Sequence, residues 1–137
     1  MASTAVLTWL RLARVYQKVD RAAIAHLRTW GLSLAQFDVL VQVGAHEGVT
    51  QQELAEALLV TKGNVCQLLD RLEAAGLIIR RQEGRTNRLF LTPRGRELAA
   101  EVIPAHEGVI THLFESLSTG EQRQALALLR KLDRALG

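Results

Sequence analysis

Apolar residues recur at Leu12, Val15, Val19, Ala22 or Ala23, Leu27 and Trp30, with no Gly or Pro between positions 5 and 30, and this spacing predicts one long amphipathic helix. Val6, Trp9 and Leu10 add a second stripe upstream, which is more apolar surface than a small domain covers by itself. Gly31 closes the helix. Ser33 with Gln36 three positions on has the form of a capping box, opening a helix whose core face is Leu34, Phe37, Leu40, Val41 and Val43, and Gly44 to Gly48 reads as a loop. Thr50 with Glu53 is a second capping box, starting a short helix with Leu54, Ala55 and Leu58 inward. Leu59-Val60 reads as a tight turn, after which Thr61 caps a helix running to Ala75 with the stripe Val65, Leu68, Leu69 and Leu72 and a left-handed exit at Gly76.

Beyond Gly76 the period changes. Leu77-Ile78-Ile79-Arg80-Arg81 and Arg88-Leu89-Phe90-Leu91 read as two strands around Glu83-Gly84-Arg85-Thr86-Asn87, which has turn composition, so the segment predicts a two-stranded β-hairpin. Thr92-Pro93 caps a helix with proline in its first turn, continuing to about Leu117 with a kink at Pro104. Ser118 with Glu121 opens a last helix striped by Leu126, Leu129, Leu132 and Leu136, with Arg123, Arg130 and Arg134 outward. The expected fold is mainly α with a small β-wing: a winged helix-turn-helix flanked by N- and C-terminal helices. The expectation is a single domain over 1–137, with 32–92 as its winged helix-turn-helix part and 1–31 and 93–137 as the flanking helices.

Composition adds one thing to this picture. The chain has 137 residues, 48% of them hydrophobic, and a net charge of +3, as expected of one folded domain. The distribution of that charge is uneven. Residues 71 to 96 hold Arg71, Arg80, Arg81, Arg85, Arg88, Arg94 and Arg96 against only Glu73 and Glu83, a local +5 that suits an anion-facing surface.

Placed on the predicted elements, these residues suggest contacts to double-stranded DNA. The helix opening at Thr61 has small or polar residues at its start, as entry into a major groove requires. Gly63 permits close approach, Lys62, Asn64 and Gln67 point away from the apolar stripe, and Arg71 follows on the same helix. Arg81, Arg85, Thr86, Asn87 and Arg88 lie on the wing, where arginine suits the negative minor groove. Thr50, Gln51 and Gln52, at the start of the first helix of the motif, offer a phosphate contact, although Thr50 is equally explained as a cap.

The most specific string is Asp70-Arg71-Leu72-Glu73-Ala74-Ala75-Gly76-Leu77-Ile78-Ile79-Arg80, followed by the wing and Leu91-Thr92-Pro93-Arg94-Gly95. With these motifs nearly the whole chain resembles the multiple-antibiotic-resistance regulator (MarR) family of winged-helix transcription factors. The family's wing carries Asp-x-Arg, and here the matching positions read Glu83-Gly84-Arg85, which keeps the carboxylate but lengthens it. The resemblance implies that Arg85 enters the minor groove and that the terminal helices interleave into a homodimer. It also implies a pseudo-palindromic operator with half-sites about 34 to 36 Å apart, and a small-molecule or stress signal that releases a repressor. The effector and its binding residues are not legible. The alternative is a winged helix that binds only proteins.

Other chemistries are poorly supported. Gly31-Leu32-Ser33-Leu34-Ala35 loosely resembles a nucleophile elbow, but a helix precedes it and Ser33 already has a capping role, so no catalytic residue is expected. His26, His46, His106 and His112 include no pair at helical spacing, so no metal or other cofactor is expected. Cys66 cannot form an intrachain disulfide and reads as a small buried thiol, with a redox role as the lesser reading. No apolar run approaches a membrane span and no leader pattern opens the chain, so a cytoplasmic protein without a membrane partner is expected.

Overall fold

The computed structural model describes residues 1–58 and 64–137, in nine elements. Helix α1 spans Thr4–Thr29, α2 Leu34–Ala45, strand β1 Val49–Thr50, α3 Gln51–Ala57, α4 Val65–Ala74, β2 Ile78–Glu83, β3 Thr86–Leu91, α5 Pro93–Leu113 and α6 Thr119–Leu136. The caps follow the sequence. Ser33, Thr50 and Ser118 each close a capping box with Gln36, Glu53 and Glu121, and Thr92 accepts from the Gly95 N–H. Gly31 and Gly76 take the left-handed φ of +71° and +75° at the two helix exits.

Several expectations need correction. The loop expected from Gly44 is helix through Ala45, because Gly44 leaves room for Leu91: a Cβ there would lie 3.3 Å from Leu91 Cδ1. Tertiary packing overrides the low helix propensity of glycine. The hairpin turn is only Gly84-Arg85, with Gly84 at φ +63°, as two-residue loops with glycine first require. The expected two-stranded hairpin forms from β2 and β3, but it is joined by β1, which pairs with β3 through Val49↔Leu89 and Thr50↔Arg88 and gives a three-stranded antiparallel sheet in the order β1-β3-β2. Two residues are too few for an alternation signal. Helix α5 continues through Pro104 but ends at Leu113, where the Phe114 N–H turns back to the carbonyls of Thr111 and His112. The Leu59-Val60 turn and the Thr61 cap lie outside the described residues; the described helix α4 begins at Val65, with Asn64 as its cap.

One core holds the middle of the chain together. Leu27 of α1, Val39, Leu40 and Val43 of α2, Leu54 of α3, and Leu69 and Leu72 of α4 are buried in it. Ile78 of β2, Leu89 and Leu91 of β3, and Val102 of α5 belong to it as well, with Leu32, Leu58, Val65, Leu77 and Ala99 around them. Full burial of each such side chain stabilises by about 1.5–3 kcal/mol. Val39, absent from the expected face of α2, is fully buried, whereas Phe37 and Leu34 pack at the margin. The ends differ. In α1 the buried residues are Ala23 and Leu27, near its C-terminal end, and none of the 18 residues of α6 is buried.

The joint between wing and α5 is tightly bonded. The Leu77 carbonyl accepts the Thr92 N–H at 3.1 Å, the Thr92 hydroxyl donates to the Gly76 carbonyl at 2.6 Å, and it accepts from the Gly95 N–H at 2.9 Å. Gly95 is buried directly over Leu77, where no Cβ fits. The Leu-Thr-Pro-Arg-Gly string thus has a packing reason: it turns the chain from strand to helix over the end of α4.

Candidate nucleic-acid interface

Helices α3 and α4 and the wing converge on one cleft of about 510 Å³, lined by Thr50, Gln51, Gln52, Ala55, Val65, Arg85, Thr86 and Asn87. Of the contact residues read from the sequence, Thr50, Gln51 and Gln52 at α3 and Arg85, Thr86 and Asn87 on the wing line this cleft, and α4 borders it through Val65. Thr61, Lys62 and Gly63 lie outside the described residues. Asn64, Gln67 and Arg71 are exposed. They share the outward side of α4, opposite the buried Val65, Leu69 and Leu72. Asn64 is also the cap, its side-chain oxygen accepting the Gln67 N–H at 3.4 Å, which leaves its amide donors for another partner.

Cys66 is exposed, contrary to the buried thiol expected, and its Sγ accepts from Gln51 Nε2 at 3.0 Å. The helical period already contained this: with Val65, Leu69 and Leu72 inward, position 66 falls off the apolar stripe. Gln51 is thereby oriented across the α3–α4 angle. Thr50 is committed to its capping box, accepting from the Glu53 N–H at 3.1 Å while its own N–H donates to Glu53 Oε1 at 3.0 Å. That backbone hydrogen bond, chiefly, holds the Glu53 carboxyl below its usual value.

On the wing the arginines divide by environment. Arg88 donates from Nε to Glu83 at 2.9 Å and from a terminal nitrogen to the Gly48 carbonyl at 2.9 Å, so it braces β3 to the turn and to the start of β1. Glu83 thus does hold the wing, by an ion pair made beside the tip. Arg81 lies opposite Arg88 in the hairpin register, and the repulsion is eased because Arg81 places its guanidinium 5.0 Å from the centroid of the Phe90 ring. Arg85 sits exposed in the turn itself, beside exposed Thr86 and half-buried Asn87. Arg80 pairs with Asp70 and, at 3.7 Å, with Glu73, which fastens β2 to α4. Arg96 pairs with Glu47 at 3.1 Å. The +5 of this window is therefore partly neutralised where it is structural and is presented at Arg71, Arg81, Arg85 and Arg94.

Ser33, the residue of the elbow-like string, accepts from the Gln36 N–H as the α2 cap. Among the described residues no three metal-binding side chains converge, and no described helix is long and apolar enough to cross a membrane.

Comparison with known proteins gives this geometry its context. Residues 30–88 match the model of the MarR family. An uncharacterized HTH-type transcriptional regulator of Bacillus cereus is 33% identical over 129 residues, covering 93% of this chain and 88% of that protein. Among solved structures, the S. aureus MepR–DNA complex superposes with a TM-score of 0.76 at 28% identity, over 100% of both chains. A cysteine-to-serine mutant of E. coli MarR complexed with operator DNA gives 0.82 at 25% identity, over 96% of this chain and 99% of that one. These relatives are regulators and not enzymes, and with a cleft that gathers α3, α4 and the wing, this chain belongs to the MarR family and is a winged-helix, DNA-binding transcriptional regulator.

Proposed function

We propose that the protein is a homodimeric repressor that reads a pseudo-palindromic operator and leaves it on a small-molecule or stress signal. In this reading residues 32–92 form the DNA-binding part, and 1–31 with 93–137 form the dimerisation helices of a cytoplasmic protein. The Thr61–Arg71 segment, with Thr61, Lys62, Gly63, Asn64, Gln67 and Arg71, enters the major groove. Arg81, Arg85, Thr86, Asn87 and Arg88 form the wing contact, in which Arg88 acts chiefly as the brace. Gln51, Gln52 and Thr50 approach the backbone phosphates.

The observation that carries the dimer is α6. An 18-residue helix with no buried residue and with Leu126, Leu129, Leu132 and Leu136 all exposed lacks the tertiary packing on which helices in water depend. Val6, Leu7, Trp9 and Leu10 are likewise exposed on α1. A second copy would cover both. The ends are also complementary in charge: residues 1–30 carry five basic and one acidic side chain, residues 97–137 four basic and six acidic. For the signal, an apolar cavity of about 520 Å³ between α2 and α5, lined by Val41, Leu91, Ala99, Ile103 and Pro104 among others, has the size and character of a small-molecule site.

The test is selection of bound fragments from the source genome, followed by footprinting. Two protected half-sites centred about 10 base pairs apart on one face of the duplex support the reading. Protection of a single half-site by a monomer contradicts it.

A further inference from the structure

His26 and His106 stand 80 positions apart and meet in the fold. Their Nδ1 atoms are 2.9 Å apart, their rings meet edge to edge with centroids separated by 5.1 Å and planes inclined by 29°, and Phe37 of α2 closes on His106 at 4.6 Å between centroids. The Trp30 indole N–H donates to Nε2 of His26 at 3.2 Å. An indole nitrogen only donates, so Nε2 of His26 must accept and carries no proton. The proton of neutral His26 therefore sits on Nδ1 and is donated to Nδ1 of His106, whose own proton is then on Nε2. These hydrogen positions follow from the network. The chain from Trp30 through His26 to His106 runs in one direction and admits one tautomer at each ring.

A metal ion held between the two Nδ1 atoms is not compatible with this arrangement. It would put the His26 proton on Nε2, facing the indole N–H, and no third ligand converges among the described residues. A proton fits no better. Added to His106, it sets two Nδ1–H donors against each other, unless His26 moves its own proton to Nε2 and meets the indole N–H instead. Added to His26, it does the same at once. The first clash costs the His26–His106 hydrogen bond and the second the Trp30–His26 one, and His106, 7% exposed and covered by Phe37, has little water with which to replace a lost partner.

We propose that Trp30, His26 and His106 form a proton-sensitive clasp that ties the C-terminal end of α1 to α5 across α2 when neutral and opens when protonated. The surrounding charges leave this intact. Among the groups around it, His26 is the one whose charge acts on His106, and it acts to keep the second proton off. From α2 the nearby carboxyl is Asp38, buried next to Phe37 and engaged with a partner. On α1 Arg28 is exposed, as is Glu107 on α5.

Burial, and then the charge of His26, hold His106 below the ordinary histidine value of 6.5. The unfolded chain therefore binds the proton more tightly than the folded one. The contribution of the clasp is complete above about pH 6.5 and is lost as the pH falls from there through the lowered value of His106. Because α1 and α5 carry the surface assigned above to the dimer, opening the clasp would alter how the DNA-binding part is held. That last consequence rests on the proposed dimer, whereas the clasp does not.

Long-range proton–nitrogen correlation spectra of the imidazoles in the full-length protein test the clasp directly. The expected result at pH 7.5 is His26 protonated at Nδ1 and His106 at Nε2, with His106 titrating below 6.5. His26 protonated at Nε2, or His106 titrating at or above 6.5, overturns the proposal. In parallel, the thermal midpoint is compared between pH 7.5 and 5.5 for wild type, His106→Gln and the less buried His26→Gln. A drop in wild type that shrinks in either folded variant supports the clasp; an equal drop in all three overturns it. If neither variant folds, the tautomers of the wild-type protein decide. Operator affinity is measured on the same samples: an acid loss of affinity in wild type that is retained in His26→Gln separates failure of the functional consequence from failure of the clasp.

Discussion

Gly95→Ala adds one methyl group at the joint between wing and α5. Its Cβ would lie 2.0 Å from the Leu77 carbonyl oxygen, 3.0 Å from the carbonyl carbon and 3.4 Å from Cα, all of them backbone. Real Cβ contacts begin near 3.0 Å, so the helix start and the strand must part by at least 1.0 Å. No rotamer can absorb that. The same carbonyl accepts the Thr92 N–H at 3.1 Å, so the displacement also stretches a bond of the joint. Overpacking costs about 1–3 kcal/mol, and leaving a part-buried donor or acceptor poorly paired costs about 1–3 kcal/mol more. Replacing glycine by alanine inside a helix returns about 1 kcal/mol. The net expectation is a loss of about 3 kcal/mol, which for a domain of this size lowers the thermal midpoint by roughly 10 °C. Gly108→Ala is the control, since it makes the same chemical change in α5 with nothing within 4 Å; it should raise the midpoint by a few degrees. Circular dichroism melts of the two variants read both signs. A Gly95→Ala protein as stable as wild type would refute the packing described for the joint.

Other outcomes follow from single contacts. Thr92→Ala removes the α5 cap and the hydrogen bond to the Gly76 carbonyl, and should lower stability by about 1–3 kcal/mol in a denaturant titration; a change under about 0.5 kcal/mol would show the hydroxyl to be idle. Exposed Cys66 should react with a maleimide in the native state, with bound operator DNA slowing the reaction several-fold; labelling that needs denaturant would place the thiol in the core. Glu83→Gln should release Arg88 and loosen the wing, weakening DNA binding without lowering global stability measurably, because the pair is largely exposed. The lowered pKa of Glu53 means that the α3 cap contributes above its ordinary value of 4.5 and is lost as the pH falls through the lowered one. The protection of α3 amides, relative to intrinsic exchange at each pH, should fall over that acid range in wild type and stay constant across it in Glu53→Gln.

The legible parts of this fold are those fixed by local chemistry. Ser33, Thr50, Thr92 and Ser118 mark helix starts because a cap needs a short polar side chain, and Gly31, Gly76 and Gly84 mark turns because only glycine takes positive φ freely. What stayed hidden depends on residues distant in sequence. Strand β1 exists because β3 offers an edge beside Val49 and Thr50, and α2 runs past Gly44 because Leu91 needs that space. The division of labour among the arginines was hidden for the same reason. Arg88 and Arg85 read alike in sequence, but the Gly48 carbonyl, 40 positions away, makes one a brace and leaves the other exposed at the tip. Histidine spacing could not reveal the His26–His106 contact, since those residues meet only when α1 packs on α5.

The central claim is that α4 and the Arg85 tip engage duplex DNA together, and the salt dependence of operator binding tests it most directly. Wild-type affinity should fall linearly on a log–log plot, by about 0.9 for each phosphate neutralised. In Arg85→Ala the slope should shrink by about one for each wing in the complex, or affinity should drop by about 1–3 kcal/mol with relaxed specificity if the side chain reads a base edge. A flat salt response in wild type, or an Arg85→Ala protein with wild-type affinity, slope and specificity, would contradict it.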